Sequence, residues 1–424
     1  MELSFSKLED YPIAAEEILL DKIDDDRLVA VGGFQTGIPS GFVTSTPFYR
    51  DKFTRDKYFN DAKKKKYSRG FKKNAFLYTI SKNSWTKLPD FPGPARQALR
   101  SVMIDGVCYM WGGFSYIPSR QVIDLPINKW PNKECFFAHK DGYKLEEIEL
   151  NNTGKKVWKW SRLPNLPKPL SNFVMIAHGR KIYMCCGGSH HPDPKKNLGK
   201  LEVKINGNEI LGKDLIFLDI DKLQLGWQKV SEFPGSPRLN ASGLILGDEI
   251  FILGGIYANE EWTYQLRMKK KRYYNVLDNW KFNVKDGKWN RLSDTPIHNG
   301  NFGSQMNNIF NNRYVFLLGG AHFNISMVNH QLIPAIIEDK LQKAIKKREL
   351  VKTEVKMNTI LIYDLIENKF SQAKDPLFNW TNLPSYVIIN NIIYCLAGEQ
   401  IPICFEKGCY GLQSDLFLKA TIKL

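Results

Sequence analysis

The sequence predicts an all-β protein folded as a closed ring of six four-stranded repeats, and three observations predict it. The first is a hydrophobic strand ending in a glycine pair, which recurs along the whole chain. The second is a tryptophan, a polar residue, Leu or Val and a proline-containing turn, which recurs at a fixed place in the repeat. The third is that the last copy is split between the two chain ends. Repeats of this kind bury their apolar faces only by stacking on their neighbours, so we expect a single domain over residues 1–424.

The two recurring motifs place the strands of each repeat. The turns are WTKLPDFP (85–92), WSRLPNLP (160–167), WQKVSEFP (227–234) and WNRLSDTP (289–296). The tryptophans recur at one repeat position, which predicts wedges between repeats. The glycine pairs, each at the end of the second strand, are Gly32-Gly33, Gly112-Gly113, Gly187-Gly188, Gly254-Gly255 and Gly319-Gly320, with Ala397-Gly398 as a degenerate sixth.

The two ends of the chain are expected to complete the sixth repeat together. Residues 415–424 (DLFLKATIKL) have the pattern of a third strand, and no fourth strand follows them. Residues 3–8 supply that fourth strand, with Phe5 in the tryptophan position. This closure removes an exposed strand edge.

The positive charge of the chain is concentrated in five long insertions between the second and third strands. The formal net charge is +16, and the insertions carry all of this excess at 34–76, 114–156, 189–213, 256–278 and 321–358. Strands that alternate up and down bring these insertions and the loops between repeats to one face. That face is therefore predicted to be a basic mouth. Residues 332–348 have helical spacing of apolar residues, which predicts either a lid or a rim helix.

Composition also limits the cellular setting. No stretch approaches the ~20 apolar residues of a membrane helix, so no membrane association is expected. The chain has seven cysteines and starts without a basic-then-apolar signal pattern. An odd number of cysteines without an export signal predicts reduced thiols and a cytoplasmic location.

The glycine pairs, the spaced tryptophans and the split final repeat resemble the kelch family of six-bladed β-propellers. The period is longer than the ~50 residues of kelch repeats because of the insertions. The resemblance implies a propeller whose last blade is closed by the N- and C-terminal strands. Kelch domains serve both as protein-binding modules and as enzymes, so the fold does not decide the function.

A narrower resemblance is to bacterial N-acetylneuraminate epimerases, the sialic acid mutarotases. Residues 85–113 and 232–255 are similar to blade junctions of that family, with Phe-Pro-Gly, then Arg, before the next glycine pair. Gly398-Glu399 matches a Gly-Glu of the family. Where the family then has Leu-Arg-Thr-Asp, this chain has Leu-Gln-Ser-Asp with Gln413 in the arginine position. The resemblance implies a sugar isomerase that needs no cofactor.

Mutarotation requires one group that removes a proton from the anomeric hydroxyl and another that protonates the ring oxygen. Glu399 is the acid/base candidate, and an ion pair with a rim lysine is its alternative interpretation. His322 is the second candidate, with a solvated loop histidine as its alternative. Arg96 and Arg238 precede first strands in matching loops, and an arginine fork suits a sugar carboxylate. Their alternative role is to cap carbonyl groups of the blade junctions.

Further residues are expected to line the mouth. Amides or imidazoles in the loops before first strands are hydrogen-bonding candidates for sugar hydroxyls, and their alternative role is that of ordinary turn residues; they are Asn172, Asn240, His298 and Asn299. Tyr116 and Tyr257 are candidate stacking platforms, and packing under the insertions is the alternative.

No metal is predicted. Cys185, Cys186, His190 and His191 lie close in sequence, but adjacent residues of a strand point to opposite faces, which separates the two thiols. The lysine runs 63–66 and 269–272 lack the interleaved aromatics of a nucleic-acid motif and are expected to attract anionic ligands in general. The expected partner is therefore a small anionic sugar. The alternative function is a non-catalytic module that binds an acidic peptide or protein on the same basic face.

Overall fold

The structure is a computed structural model. It describes residues 2–35, 70–116, 136–150, 153–188, 212–258, 273–296, 308–320, 325–329, 331–334, 360–373, 381–396, 398–405 and 408–423. In these ranges the secondary structure consists of strands and one 3-10 turn at Leu223–Leu225. Most of the basic insertion residues and the end of the 332–348 segment lie outside the described residues.

The strands between residues 2 and 232 form the first three blades and their connecting segments, except β1, which belongs to the sixth blade. They are β1 Glu2–Lys7, β2 Leu19–Lys22, β3 Arg27–Val31, β4 Phe34–Gln35, β5 Gly70–Phe71, β6 Ala75–Thr79, β7 Ser84–Leu88, β8 Arg100–Ile104, β9 Val107–Trp111, β10 Phe114–Tyr116, β11 Phe136–Ala138, β12 Gly142–Glu149, β13 Lys156–Leu163, β14 Val174–His178, β15 Lys181–Cys185, β16 Asp214–Asp219 and β17 Gln228–Glu232.

The C-terminal half supplies the remaining strands. They are β18 Ser242–Leu246, β19 Glu249–Leu253, β20 Ile256–Ala258, β21 Tyr273–Val276, β22 Asn279–Asn283, β23 Lys288–Leu292, β24 Ile309–Phe310, β25 Tyr314–Leu318, β26 Ile325–Val328, β27 Gln331–Pro334, β28 Ile360–Asp364, β29 Lys369–Ala373, β30 Thr381–Asn382, β31 Ser385–Ile389, β32 Ile392–Leu396, β33 Glu399–Phe405, β34 Gly408–Gln413 and β35 Phe417–Lys423.

These strands form the six antiparallel four-stranded blades of a β-propeller, as predicted. In order from first to fourth strand the blades are β2-β3-β6-β7, β8-β9-β12-β13, β14-β15-β16-β17, β18-β19-β22-β23, β24-β25-β28-β29 and β31-β32-β35-β1. A separate hydrophobic cluster fills each interface between consecutive blades, including that between the sixth and the first. The ring is therefore closed by side-chain packing all the way round.

The recurring tryptophans lie where the repeat pattern places them. Trp85, Trp160, Trp227 and Trp289 are partly buried, and each packs against the cluster between its own blade and the preceding one. Trp160 also donates its indole N–H to the carbonyl of Pro89, at 2.9 Å. The tryptophans therefore join consecutive blades.

The sixth blade is closed by the two ends of the chain. Strand β1 pairs antiparallel with β35, and Phe5 lies opposite Ala420. Phe5 is 4% exposed and shares a hydrophobic cluster with Leu418. The predicted closure by the N- and C-terminal strands is confirmed.

The β1 side chains that face this cluster should carry part of the stability. We expect Leu3→Ala to lower the free energy of unfolding by about 2 kcal/mol, at the low end for a buried leucine, because Leu3 lies at the edge of the cluster. Ser4→Ala on the exposed face of the same strand is the control. Urea unfolding of both variants measures the effect. Equal midpoints would contradict a closing role for β1.

The structure corrects two local predictions. In blade three the left-handed pair that follows the second strand is Cys186-Gly187, at φ 64° and 87°, and not Gly187-Gly188. Gly188 instead bridges Ser171. The start of the segment predicted to be helical, Leu332 to Pro334, lies in β27. That strand belongs to a sheet of order β20-β21-β26-β27, in which the connecting segments of blades four and five pair.

Candidate functional site

The loops between blades and the segments that follow the second strands meet at one end of the ring. The residue three positions before a first strand bridges the residue three positions after the end of a second strand. The bridged pairs are Glu16 with Phe34, Gln97 with Phe114, Ser171 with Gly188, Leu239 with Ile256, and Asn382 with Glu399. Both types of connection therefore emerge at the same face, as expected from the alternation of strands.

The next residue in each of these loops has a left-handed backbone. The φ angles are 47° at Glu17, 57° at Ala98, 56° at Asn172, 52° at Asn240 and 52° at Leu383. Asn adopts this region readily, whereas Glu and Leu do so rarely. The same conformation in five of the loops between blades makes it a feature of the repeat and not of Glu17 alone.

Side chains of non-adjacent blades meet through this ring of residues. Asn172 of blade three donates from Nδ2 to Glu17 Oε1 of blade one at 2.9 Å, and to Asn240 Oδ1 of blade four at 2.5 Å. Gln97 of blade two donates to Glu17 Oε2. Blades one and three are not neighbours, so their side chains can meet only near the propeller axis. We call Glu17, Gln97, Arg100, Asn172 and Asn240 the axial cluster.

Arg100 brings a positive charge into the axial cluster. It is the first residue of β8 and is 8% exposed. Its Nη1 donates to the Leu99 carbonyl at 2.9 Å, and its Nη2 donates to Asn240 Oδ1 at 3.3 Å. Its Nε is buried and has no hydrogen-bond partner. Donor capacity on a buried arginine therefore remains available for a ligand.

The pKa values of the two ionisable residues of the axial cluster, Glu17 and Arg100, are both shifted. Burial raises the pKa of Glu17 above its ordinary value, and Arg100 together with the hydrogen bonds from Gln97, Asn172 and Asn240 offsets this only in part. Burial lowers the pKa of Arg100 to about 10, against the opposing effect of Glu17. Titratable groups perturbed by desolvation and by one specific partner are typical of functional sites.

The structure assigns Arg96 to a blade junction and not to an open mouth. Its guanidinium is fully buried and stacks 5.1 Å from the Phe91 ring centroid. Nη1 and Nη2 donate to the two carboxylate oxygens of Asp141 at 2.7 and 2.9 Å. Nη1 also reaches the Gly112 carbonyl and Nε reaches that of Pro94. The fork is occupied, so the interpretation of Arg96 as a sugar-carboxylate ligand is not supported.

Arg238 has the same arrangement two blades further on. Both Arg238 and Asp278 have fully buried side chains, and Nη2 lies 2.6 Å from Asp278 Oδ2. Its remaining donors reach the carbonyls of Ser236, Gly254 and Asp278. The alternative role of both arginines, capping junction carbonyls, matches this geometry.

Of the other predicted residues, Asn172 and Asn240 lie at the axis, and Tyr257 is partly buried against Leu239 and Ile256. Glu399 and Tyr116 are described by backbone alone, as the first residue of β33 and the last of β10. His322, His298 and Asn299 lie outside the described residues, as do His190 and His191.

Backbone placement puts Glu399 close to the axial cluster. Its strand partner across β33–β34 is Gln413. Gln413 is 2% exposed and donates from Nε2 to Glu16 Oε2 at 2.8 Å, and Glu16 precedes Glu17. Gln413, which replaces the expected arginine, therefore donates to the Glu16 carboxylate. The arginine at the axis is instead Arg100 of blade two.

Sequence reasoning missed Glu17, Gln97 and Arg100. One signal was available, because Arg100 is the charged residue in the strand segment ALRSVMI (98–104), whose other residues are apolar except Ser101. Glu17 has no such signal, since it lies in the loop between two strands. Its role follows from contacts with blades three and four, which local sequence does not contain.

The two adjacent cysteines do not behave as a strand pair. Cys186 Sγ lies 3.7 Å from Cys185 Sγ, because Cys186 follows the end of β15 with a positive φ. The argument that strand alternation separates these thiols is therefore wrong. In the part of the chain that the structure describes, no group of three or more His, Cys, Asp or Glu residues is arranged to hold a metal ion. Within the same residues, no helix has the length and apolarity needed to cross a bilayer.

Comparison with known proteins supports the fold and the narrower resemblance. No protein-family model matches the chain. The solved structure of YjhT aligns over 96% of both chains with a TM-score of 0.54 and 16% identity, which supports the propeller fold alone. N-acetylneuraminate epimerase 1 of Escherichia coli O6:H1 is 23% identical over 253 residues, 57% of this chain and 56% of that protein. N-acetylneuraminate epimerase of Salmonella enteritidis PT4 is 25% identical over 262 residues.

The chain resembles the N-acetylneuraminate epimerases. A further epimerase, from Yersinia pestis, is 31% identical over 170 residues, 38% of this chain and 41% of that protein. The matches span 56% of the Escherichia coli epimerase and 58% of the Salmonella epimerase. The resemblance therefore extends over part of each relative, and what these epimerases do is not transferred to this chain by similarity alone.

Proposed function

We propose that the protein is a cofactor-independent mutarotase or epimerase of an acidic sugar such as a sialic acid. The observation that carries this proposal is the buried Glu17–Arg100 cluster at the propeller axis, where four blades contribute side chains. It unites a carboxyl group of raised pKa with a guanidinium whose Nε has no hydrogen-bond partner. The similarity to N-acetylneuraminate epimerases supports the substrate class.

The chemistry requires two proton-transfer groups on one sugar ring. A base takes the proton of the anomeric hydroxyl, an acid protonates the ring oxygen, and the ring opens to a carbonyl that closes on its other face. Glu17, with its raised pKa, is suited to be the acid. Glu399, whose backbone lies beside the Gln413–Glu16 contact, is our candidate for the base. His322 remains a further proposal for this step.

Arg100 is the proposed anchor of the sugar carboxylate. A buried guanidinium with an unpartnered Nε offers a charge-assisted hydrogen bond where Gln413 offers none. Asn172 and Asn240 present amides to the same centre and are suited to sugar hydroxyl or acetamido groups. The loop residues His298 and Asn299 and the rings of Tyr116 and Tyr257 are proposed to extend this site towards the mouth.

A cytoplasmic location is part of the proposal. Cys108, Cys185, Cys186 and Cys395 are unpaired and buried in the described part of the chain. Unpaired thiols are the rule in reducing compartments. The expected partner in that compartment is the small anionic sugar, with an acidic peptide on the basic face as the rival.

Proton NMR exchange spectroscopy on the anomers of N-acetylneuraminate tests the proposed function. The wild-type protein should accelerate exchange above the buffer rate at equal pH. Glucuronate is tested as a second acidic sugar. If the protein accelerates anomer exchange of neither sugar, this result would contradict catalysis on acidic sugars and favour the peptide-binding alternative. Binding of a poly-glutamate peptide, measured in parallel, identifies that outcome.

Arg100→Met should weaken binding of the acidic sugar. We expect the Kd of N-acetylneuraminate to rise about 10- to 100-fold, because a hydrogen bond to a charged group contributes about 1.5–3 kcal/mol. The methyl ester of the same sugar is the matched ligand, and its Kd should be the same in both proteins. Calorimetric titration measures all four values. An equal loss for acid and ester would place the carboxylate elsewhere.

A further inference from the structure

The axial cluster holds one acidic and one basic side chain whose charges balance. Among the described side chains, Arg100 is the charged group that acts on Glu17. Two other carboxylates lie near on the same segment and have their own partners. Glu16 accepts from Gln413 at 2.8 Å, and Asp21 on β2 accepts from Ser101 Oγ at 2.7 Å. An anion that enters the cluster therefore acts mainly on the charge interaction between Glu17 and Arg100, and less on Glu16 and Asp21.

We infer that Glu17 takes up a proton when the carboxylate of an acidic ligand pairs with Arg100. This inference rests on the proposed function, because it takes the acidic sugar as the ligand. Before binding, the cluster holds a Glu17 carboxylate and the Arg100 guanidinium. After binding it holds a Glu17 carboxylic acid, the guanidinium and the ligand carboxylate, and the added proton comes from solvent. The net charge of the buried cluster is zero in both states.

Burial is the physical reason for this coupling. Glu17 and Arg100 are 7% and 8% exposed, so a second carboxylate next to Glu17 would meet little solvent screening. Two carboxylates that share one buried site do not both stay ionised, and one takes a proton. The ligand carboxylate would have the guanidinium as its partner. Glu17 accepts from neutral amides of Asn172 and Gln97, and is therefore the group to be protonated.

The coupling has a catalytic consequence. Ring opening needs a protonated acid. Binding of the acidic substrate would itself cause the protonation of Glu17. A neutral sugar of the same shape would leave Glu17 ionised, with its charge balanced by Arg100. Selectivity for acidic sugars would then appear in kcat as well as in binding, because only an anionic ligand causes Glu17 to take up a proton.

Calorimetric titration with N-acetylneuraminate at pH 7.5 in phosphate and in Tris tests the inference, because the two buffers differ in ionisation enthalpy. The difference in apparent binding enthalpy gives the number of protons taken up. We expect close to one proton per site in the wild type and in the control Glu16→Gln, and none in Glu17→Gln. The wild-type Kd should also rise about tenfold per pH unit wherever free Glu17 is ionised.

The outcomes separate this inference from the proposed function. Binding without proton uptake, and with a Kd independent of pH, would overturn the inference and leave the anomer-exchange test untouched. Proton uptake without anomer exchange would support the inference and overturn the proposed catalysis. Failure of both N-acetylneuraminate and glucuronate to bind would overturn the inference.

Discussion

Replacing Glu17 by glutamine should reduce anomer exchange about 10²- to 10⁴-fold, the usual contribution of one general acid–base group. The amide keeps the size of the side chain but cannot give a proton to the ring oxygen. Glu17 is 7% exposed and accepts hydrogen bonds from amides of blades two and three. Exchange spectroscopy at saturating sugar measures the effect on kcat.

Two matched variants make the Glu17 result specific. Glu16→Gln changes the neighbouring carboxylate, which bonds Gln413, and should retain most of the activity. Glu399→Gln should lower kcat through the other proton transfer. An equal rate in wild type and Glu17→Gln, with Glu399→Gln inactive, would move the acid from the axis to β33.

Replacing Asp278 by alanine should strongly lower the stability of the fold. The change leaves the buried guanidinium of Arg238 without its carboxylate, and removing one partner of a buried ion pair costs about 3–5 kcal/mol. Trp280 Nε1, which donates to Asp278 at 2.7 Å, loses its acceptor as well. Urea unfolding should show a large fall in midpoint.

The control for Asp278 is an exposed ion pair. Arg180 and Asp221 have side chains 48% and 52% exposed, and Asp221→Ala should leave the unfolding midpoint nearly unchanged, because solvent screens such pairs. Comparable losses in the two variants would contradict the structural role of the Arg238–Asp278 pair. That result would restore Arg238 as a candidate ligand for the sugar carboxylate.

The same pair predicts a dependence of stability on pH. Burial acts to raise the pKa of Asp278, but Arg238 and the hydrogen bonds from Trp280 and Ser236 lower it below the ordinary value. A lowered folded-state pKa adds stability above the unfolded value, which is lost as the pH falls through the folded one. The midpoint of the wild type should therefore fall in acid, and that of Asp278→Ala should fall less.

Sequence periodicity was sufficient to predict the fold because each repeat carries its own local markers. The glycine pairs end second strands, the tryptophans join blades, and Phe5 substitutes for a tryptophan where the chain ends meet. The start of the 332–348 segment, predicted to be helical, lies in β27, and the register in blade three was misplaced. There Cys186 adopts the left-handed backbone that glycine has in the other blades whose residues are described.

The site was less predictable because it is assembled from residues far apart in sequence. Arg96 and Arg100 are four residues apart, yet one closes a junction with Asp141 and the other reaches the axis beside Asn240. Local motifs cannot distinguish them, because the difference lies in which partner each meets across the ring. Asn172 and Asn240 were predicted because turn amides recur there, but their contact with Glu17 required the folded ring.

A crystal structure of the protein with bound N-acetylneuraminate is the most direct test of this account. We predict the sugar carboxylate within hydrogen-bonding distance of Arg100 and the sugar ring oxygen next to Glu17, at the propeller axis. A sugar bound on the outer surface of the blades, with the Glu17–Asn172 and Arg100–Asn240 contacts unchanged and free of ligand, would contradict the assignment of the site.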